Sequence, residues 1–517
     1  MKRKFALFLA LCLVCAVLGG CGGGSKRGGA EGSNGLDDER KANNEIVVAI
    51  PQDLADSLDP HGSMSAGTRE ILFNIYEGLV KTGPDGELIP AVAESYRISE
   101  DGLTYTFKLR ENVKFHNGAK VSAEDVIYSL QRCINNAGNM GDSALVSALS
   151  AIRYDELVAG EDNTVSFRID KPNPELIYFL TVAVVPADYD SLDTAPCGTG
   201  PFRFVSRSPQ ESIVLERFDD YWGERAALDR VTLRVYTDPT ALVLALKAGS
   251  VDLCPHLTAA QTAQLGTAYT ILEDTMNLVQ AVYLNHNMAP LDNETVRQAM
   301  CYAINRQEIM DMVADGHGVA VGSSIYPKLT RFFLPELVDR YPYNVEKAKE
   351  LLAQAGYPDG FDLAIAVVSS YQPHMDTAEV VVEQLRAIGI NASVQPMDSA
   401  TWLNDVYVGR SFQATITGVD AKNVTARAML ERFVSDNGKN FINYSNPEYD
   451  ALYAQAMAAV NEAEQTELYQ KMETILCDTA ANLYIQDLAD LVAIRGDLTG
   501  LRFYPVYVLD LQTVHYE

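Results

Sequence analysis

The sequence predicts an α/β fold divided among several bodies, and three observations carry that expectation. Residues 101–132 read DGLTYTFKLRENVKFHNGAKVSAEDVIYSLQR, with Tyr105, Phe107 and Leu109 alternating against Thr104, Thr106 and Lys108. That is the period-two pattern of a half-buried strand. After a turn at Asn117-Gly118, Ser122 stands as an N-cap before Glu124 and Asp125, whose charges suit the free N–H groups of a first helical turn, and Val126, Ile127 and Leu130 form the helix's apolar stripe. Farther on, residues 361–368, 376–388 and 390–396 read as the strand, helix and strand of a parallel-sheet unit. The third observation is length: 517 residues allow roughly three units of about 150 residues each.

Taken in order, residues 1–20 have the parts of an export signal: a basic start at Lys2, Arg3 and Lys4, an apolar run over 5–18, and small residues before Cys21. The run is too short for an ordinary membrane-spanning helix, which takes about 20 residues. Leu18-Gly19-Gly20-Cys21 resembles a lipoprotein signal, which implies lipidation of Cys21 after cleavage. Residues 21–44, rich in Gly, Ser and charge, predict a flexible spacer. Folding is expected to begin near Glu45, where EIVVAI is a buried-strand run. Residues 164–169 alternate as a strand, and Lys171-Pro172-Asn173-Pro174 ends it. Strand 231–236 precedes a helix over 239–247 that stops at Gly249. Residues 344–357 are strongly helix-periodic, 412–419 form an apolar strand ending at Asp420, and two helices follow 443–450.

Several stretches together resemble the family 5 solute-binding proteins, the extracytoplasmic receptors of ABC importers. They are FKLRENVKFHNGAKVSAEDVIYSL, the SLDP of 57–60 followed by a helix ending in EGL at 77–79, PAVAESY at 90–96, GTGPF at 198–202, ALKAGSVDL at 245–253 and LNHNMAPLDNETVRQAMCYAIN at 284–305. The resemblance implies a two-lobed periplasmic-binding-protein-like α/β fold (type II, cluster C) with an extra small domain. Its implied division is 45–78, 197–283 and 486–517 for the first domain, 79–196 for the second and 284–485 for the third. It also implies a peptide, dipeptide or other small solute as ligand, a permease and an ATPase as partners, a monomer, and lipid attachment to the cell membrane at Cys21. Oligosaccharides and nickel chelates are the alternative cargo within the same fold.

Asp420 is the leading site candidate, because in the peptide-binding members a strand ends in an aspartate that pairs with the ligand's ammonium, and Thr417-Gly418-Val419-Asp420 falls at that place. An ammonium taken out of water has to be paired. The strand around Gly418 would offer main-chain groups to an extended ligand. Met64-Ser65-Ala66 aligns with the loop that faces the ligand from the opposite side, so Ser65 and Ala66 are candidates as well, and Trp402 matches a cleft-lining aromatic. Each has a structural alternative: a strand-end cap for Asp420, a surface turn for Ser65 and Ala66, and the core for Trp402. His116, in its Phe-His-Asn-Gly turn, reads as structural.

Enzyme signatures are missing: there is no G-x-S-x-G, no Walker A and no H-E-x-x-H. The sequence therefore predicts no catalysis, no cofactor and no metal. An exported hydrolase around Gly141-Asp142-Ser143 is the rival from another class, and an adhesin or signal-receiving lipoprotein is a third. The net charge of −28, which becomes −31 without residues 1–20, repels phosphate backbones and argues against nucleic acid. Cys133, Cys197, Cys254, Cys301 and Cys477 remain after the signal and Cys21, with no CxxC spacing, and their pairing is open.

Overall fold

The structure is a computed structural model that describes residues 39–54, 57–62, 65–136, 143–421 and 423–517. The export signal, Cys21, most of the spacer, Met64 and Gly141-Asp142 lie outside the described residues.

Glu45–Ile50 is buried along nearly its whole length because it sits inside a seven-stranded sheet, parallel to Arg230–Val235 on one side and to Leu253–Leu257 on the other. A strand covered on both faces needs continuous apolar residues, which is what EIVVAI supplies. The sheet continues outward through Ser212–Arg217 and Phe202–Ser208 at one edge, and through Ala489–Arg495 and Tyr269–Thr275 at the other. Distant parts of the chain thus share one sheet. Contact with it begins before Glu45, since Arg40 donates to Gly249 O at 2.7 Å and pairs with the fully buried Asp252. The last residues of the expected spacer are tied down by that buried carboxylate.

A four-stranded antiparallel sheet, in the order Ala93–Ile98, Thr104–Leu109, Thr164–Arg168, Val158–Gly160, accompanies the first sheet. The alternation read from the sequence has its physical cause here: Tyr105, Phe107 and Leu109 are buried, and Tyr105 stacks on Phe167 at 5.2 Å. Helix Ala123–Asn135 carries the full capping box, with Ser122 Oγ accepting from Asp125 N and Asp125 Oδ2 accepting from Ser122 N. One continuous apolar core joins this sheet to the first.

The second lobe is built on a six-stranded sheet, in the order Val319–Ala320, Asn482–Asp487, Leu278–Leu284, Ala414–Asp420, Asp362–Val368, Asn391–Met397. The expected strand, helix and strand unit is Asp362–Val368, Gln372–Arg386 and Asn391–Met397, and its strands are parallel. Two crossings connect the sheets: Tyr269–Thr275 passes into Leu278–Leu284, and Asn482–Asp487 passes into Ala489–Arg495. They lie side by side, with Met276 N donating to Leu488 O at 2.8 Å. These two short connections are the crossings by which the chain passes between the sheets.

Candidate functional site

Between the lobes lies a cavity of about 230 Å³. Its walls are Leu72, Phe73, Phe179, Val182, Val506 and Val508, and three charged side chains, Arg69, Glu77 and Lys81, line it, with Asn423 reaching in from the second lobe. Glu77 is already satisfied: Lys81, Tyr221 Oη, Trp222 Nε1 and Thr199 Oγ1 all donate to it at 2.7–3.2 Å. Lys81 is therefore committed as well. The C-terminal segment forms part of the seam, because Asn277 donates to Tyr504 O and Tyr326 Oη donates to Pro505 O.

Arg69 lies one turn into helix Ala66–Leu72, whose N-cap is Ser65, with Ser65 Oγ accepting from Thr68 N. From there its guanidinium reaches across the seam to Asp420 at the end of Ala414–Asp420, with a single contact of 3.3 Å between Nη2 and Oδ2. The Asp420 side chain is 37% exposed and that of Arg69 26%. The structure thus places Asp420 at a strand end facing the other lobe, and Ser65 and Ala66 at the start of the helix that carries its partner. Gly418 pairs with Gln280 in the sheet, where an added Cβ would stand 2.8 Å from Leu278 Cδ1. Trp402 is half-buried against the second-lobe core, with Nε1 donating to Thr415 Oγ1 at 2.9 Å and its ring beside Tyr407 and Phe441. It is not among the residues that line the cavity.

Sequence reasoning missed Arg69 and two buried clusters beside the seam. In the first, the His256 ring is held by Glu70 Oε1 at 2.8 Å and Tyr507 Oη at 2.9 Å on Nε2, and by Asp490 Oδ1 at 2.9 Å on Nδ1. Burial works against charge on this imidazole, but Asp490 and Glu70 outweigh it and hold its pKa well above the usual value. Asp487, at the end of one crossing strand, accepts from Leu278 N, and burial pushes its carboxyl up to about 8. In the second cluster Glu175 of the first lobe accepts from Gln465 and Tyr469 of the second at 3.3 and 2.9 Å, and burial pushes it up to about 7. No signal in the linear sequence marks these groups, because their partners lie far away in the chain. His116, by contrast, is structural: it bonds Gly200 O and Gly198 N across two loops, and burial lowers its pKa to about 4. The five cysteines are buried free thiols. Among the described residues no group of three or more His, Cys, Asp or Glu is placed to hold a metal ion, and no helix is long and apolar enough to cross a membrane.

Residues 87–441 match the family described as bacterial extracellular solute-binding proteins, family 5 middle. The chain belongs to that family. Family 5 membership accounts for two lobes joined by two crossing strands, and the family is one of solute binding. The chain is 28% identical over 518 residues to heme-binding protein A of Haemophilus influenzae, covering 93% of each. It is 27% identical over 468 residues to the dipeptide-binding protein of Escherichia coli, covering 83% of this chain and 86% of that one. It is 27% identical over 452 residues to a glutathione-binding protein of Escherichia coli, covering 84% and 86%. Among solved structures, DppA of Helicobacter pylori in complex with the peptide STSA superposes with a TM-score of 0.77 at 25% identity, covering 93% of this chain and all of that one. CtaP of Listeria monocytogenes gives 0.81 at 23% identity over 91% and 99%, which speaks for the fold.

Proposed function

We propose that this family 5 protein is the extracytoplasmic receptor of an ABC importer, capturing a peptide or peptide-like amine between its lobes and delivering it to a membrane permease. With the lobe boundaries set at the two crossings, 45–78, 197–275 and 489–517 form the first body, with 79–196 as its small attached domain, and 278–487 form the opposing lobe. Cys21 carries a lipid that holds the receptor at the membrane, and the importer's ATPase supplies the energy. The protein acts as a monomer and performs no chemistry on the ligand. The relatives that bind a dipeptide, glutathione and the peptide STSA support the ligand class.

One observation carries the reading. A carboxylate at a strand end, Asp420, faces the seam beside a cavity with room for a small guest, and a single long contact engages it from the other lobe. A ligand ammonium competes for that carboxylate, and a charge-assisted bond of this kind contributes about 1.5–3 kcal/mol. Calorimetric titration with Asp420→Ala tests it: affinity for a free peptide falls about tenfold to a hundredfold, while the N-acetylated peptide binds both proteins alike. Equal affinity of both proteins for the free peptide removes Asp420 from the site.

A further inference from the structure

Resting on that reading, we propose that Arg69 and Asp420 together form a two-charge clamp for an α-amino-acid head, an ammonium and a carboxylate on the same carbon, whose remainder is a neutral chain attached through the side chain. A linear peptide separates its ammonium from its carboxylate by the whole backbone, so a receptor that takes one out of water needs a cation at the far end of the site. Among the described residues the cavity offers none there. Lys81 is held by Glu77, and Glu77 in turn by Tyr221, Trp222 and Thr199. In a second cavity of about 100 Å³, Lys328 pairs with Asp274, and Arg331 pairs with Glu462 and donates to Tyr178. The rest of the main cavity wall is largely apolar.

Arg69 is different. It lines the main cavity, it has no acidic partner in its own lobe among the described residues, and its one ion pair is the 3.3 Å contact with Asp420. A pair this exposed and this long contributes only about 0–1 kcal/mol. A ligand displaces it at small cost. An α-amino-acid head presents opposite charges at the same short spacing as the pair itself, so its ammonium takes Asp420 while its carboxylate takes the guanidinium. Each protein charge exchanges one long contact for a charge-assisted bond, with the fork of Arg69 suited to a carboxylate. The two protein charges come from opposite lobes, so the head bridges them and holds the seam shut. Phe73, Phe179, Val506 and Val508 then face the neutral chain. γ-Glutamyl amides have this form, and linear peptides, whose ammonium and carboxylate sit on different α-carbons, do not.

The test is titration calorimetry of the chain lacking residues 1–38, with γ-L-glutamyl butylamide, its α-carboxamide, its N-acetyl form and linear trialanine as probes. The expected result is that the wild type binds γ-L-glutamyl butylamide about tenfold to a hundredfold more tightly than the α-carboxamide, and more tightly than trialanine. Arg69→Gln abolishes the preference for carboxylate over carboxamide while keeping the preference for free amine over N-acetyl, and Arg69→Lys keeps part of the carboxylate preference. The clamp is overturned if Arg69→Gln leaves that preference intact, if trialanine binds more tightly, or if the wild type binds no γ-glutamyl butylamide at millimolar concentration. If trialanine binds more tightly than γ-L-glutamyl butylamide and does so in an Asp420-dependent way, the receptor reading stands and the clamp alone falls. Indifference of every probe to N-acetylation overturns both.

Discussion

At the scale of single residues, the seam is organised by buried charges that answer one another across the chain. His256 is the clearest case: its ring is gripped by Glu70 on the helix that carries Arg69, by Asp490 just past a crossing strand, and by Tyr507 of the C-terminal segment. Replacing it by glutamine leaves two buried carboxylates without their cation and is expected to cost about 3–5 kcal/mol of stability. The pH dependence follows from the direction of the shift. Because the folded pKa stands above the unfolded one, the extra stability is complete below about pH 6.5 and is lost as pH rises through the folded value. Urea unfolding of the wild type and of His256→Gln at pH 6 and pH 9 checks this. The gap between the two proteins narrows at the higher pH, and a gap independent of pH contradicts the ion-pair account.

At the scale of elements, close approach of backbones fixes how the loops meet. Gly198 and Gly200 open no phosphate cradle; they let the Gly198–Phe202 loop lie against the turn that follows helix Ala66–Leu72. Gly200 N donates to Ile75 O at 2.9 Å and Phe202 N to Asn74 O at 3.1 Å. A Cβ on Gly200 would stand 2.5 Å from Asn74 O, and one on Gly198 would stand 2.1 Å from Ile75 O. Backbone atoms on both sides cannot swing away as a side chain end can. Gly200→Ala is therefore expected to cost about 1–3 kcal/mol or more, with a lowered melting temperature in calorimetry. Gly418→Ala meets only the movable end of Leu278 and costs less, which makes it the matched control.

At the scale of the whole molecule, the lobes are joined by polar contacts as well as by the two crossings. Tyr178 donates to Glu462, Arg427 donates to Ser147, and Glu175 is buried against Gln465 and Tyr469. Burial raises the Glu175 carboxyl from its ordinary value to about 7, despite Arg427 and Tyr469, which lower it. This folded pKa also lies above the unfolded one. The protonated carboxyl suits the closed seam, so the contribution of Glu175 is complete below about pH 4.5 and is lost as pH rises through about 7. Glu175→Gln mimics the protonated form and is expected to unfold at a higher temperature than the wild type at pH 8, with the difference disappearing at pH 5. A melting-temperature difference that stays the same at both values removes Glu175 as the source.

The division between what was legible and what was not runs along sequence distance. The Thr104–Leu109 strand, the capping box at Ser122, the buried run Glu45–Ile50 and the parallel unit from Asp362 to Met397 were readable because their causes are local: side-chain period, a cap three residues away, a continuous apolar run. Motif order along the chain likewise identified the family and placed Asp420 at a strand end. Only the tertiary structure decided that Arg69 meets Asp420, that Trp402 packs half-buried against the second-lobe core, that Arg40 anchors the end of the spacer on Asp252, and that His256 stands between two carboxylates. The physical reason is that the charged pairs join residues 186 to 351 positions apart, and even the shorter reach of Trp402 to Thr415 and Phe441 leaves its element. Such partners are chosen by how the folded chain brings distant segments together, within a lobe or across the seam, and no local pattern encodes that.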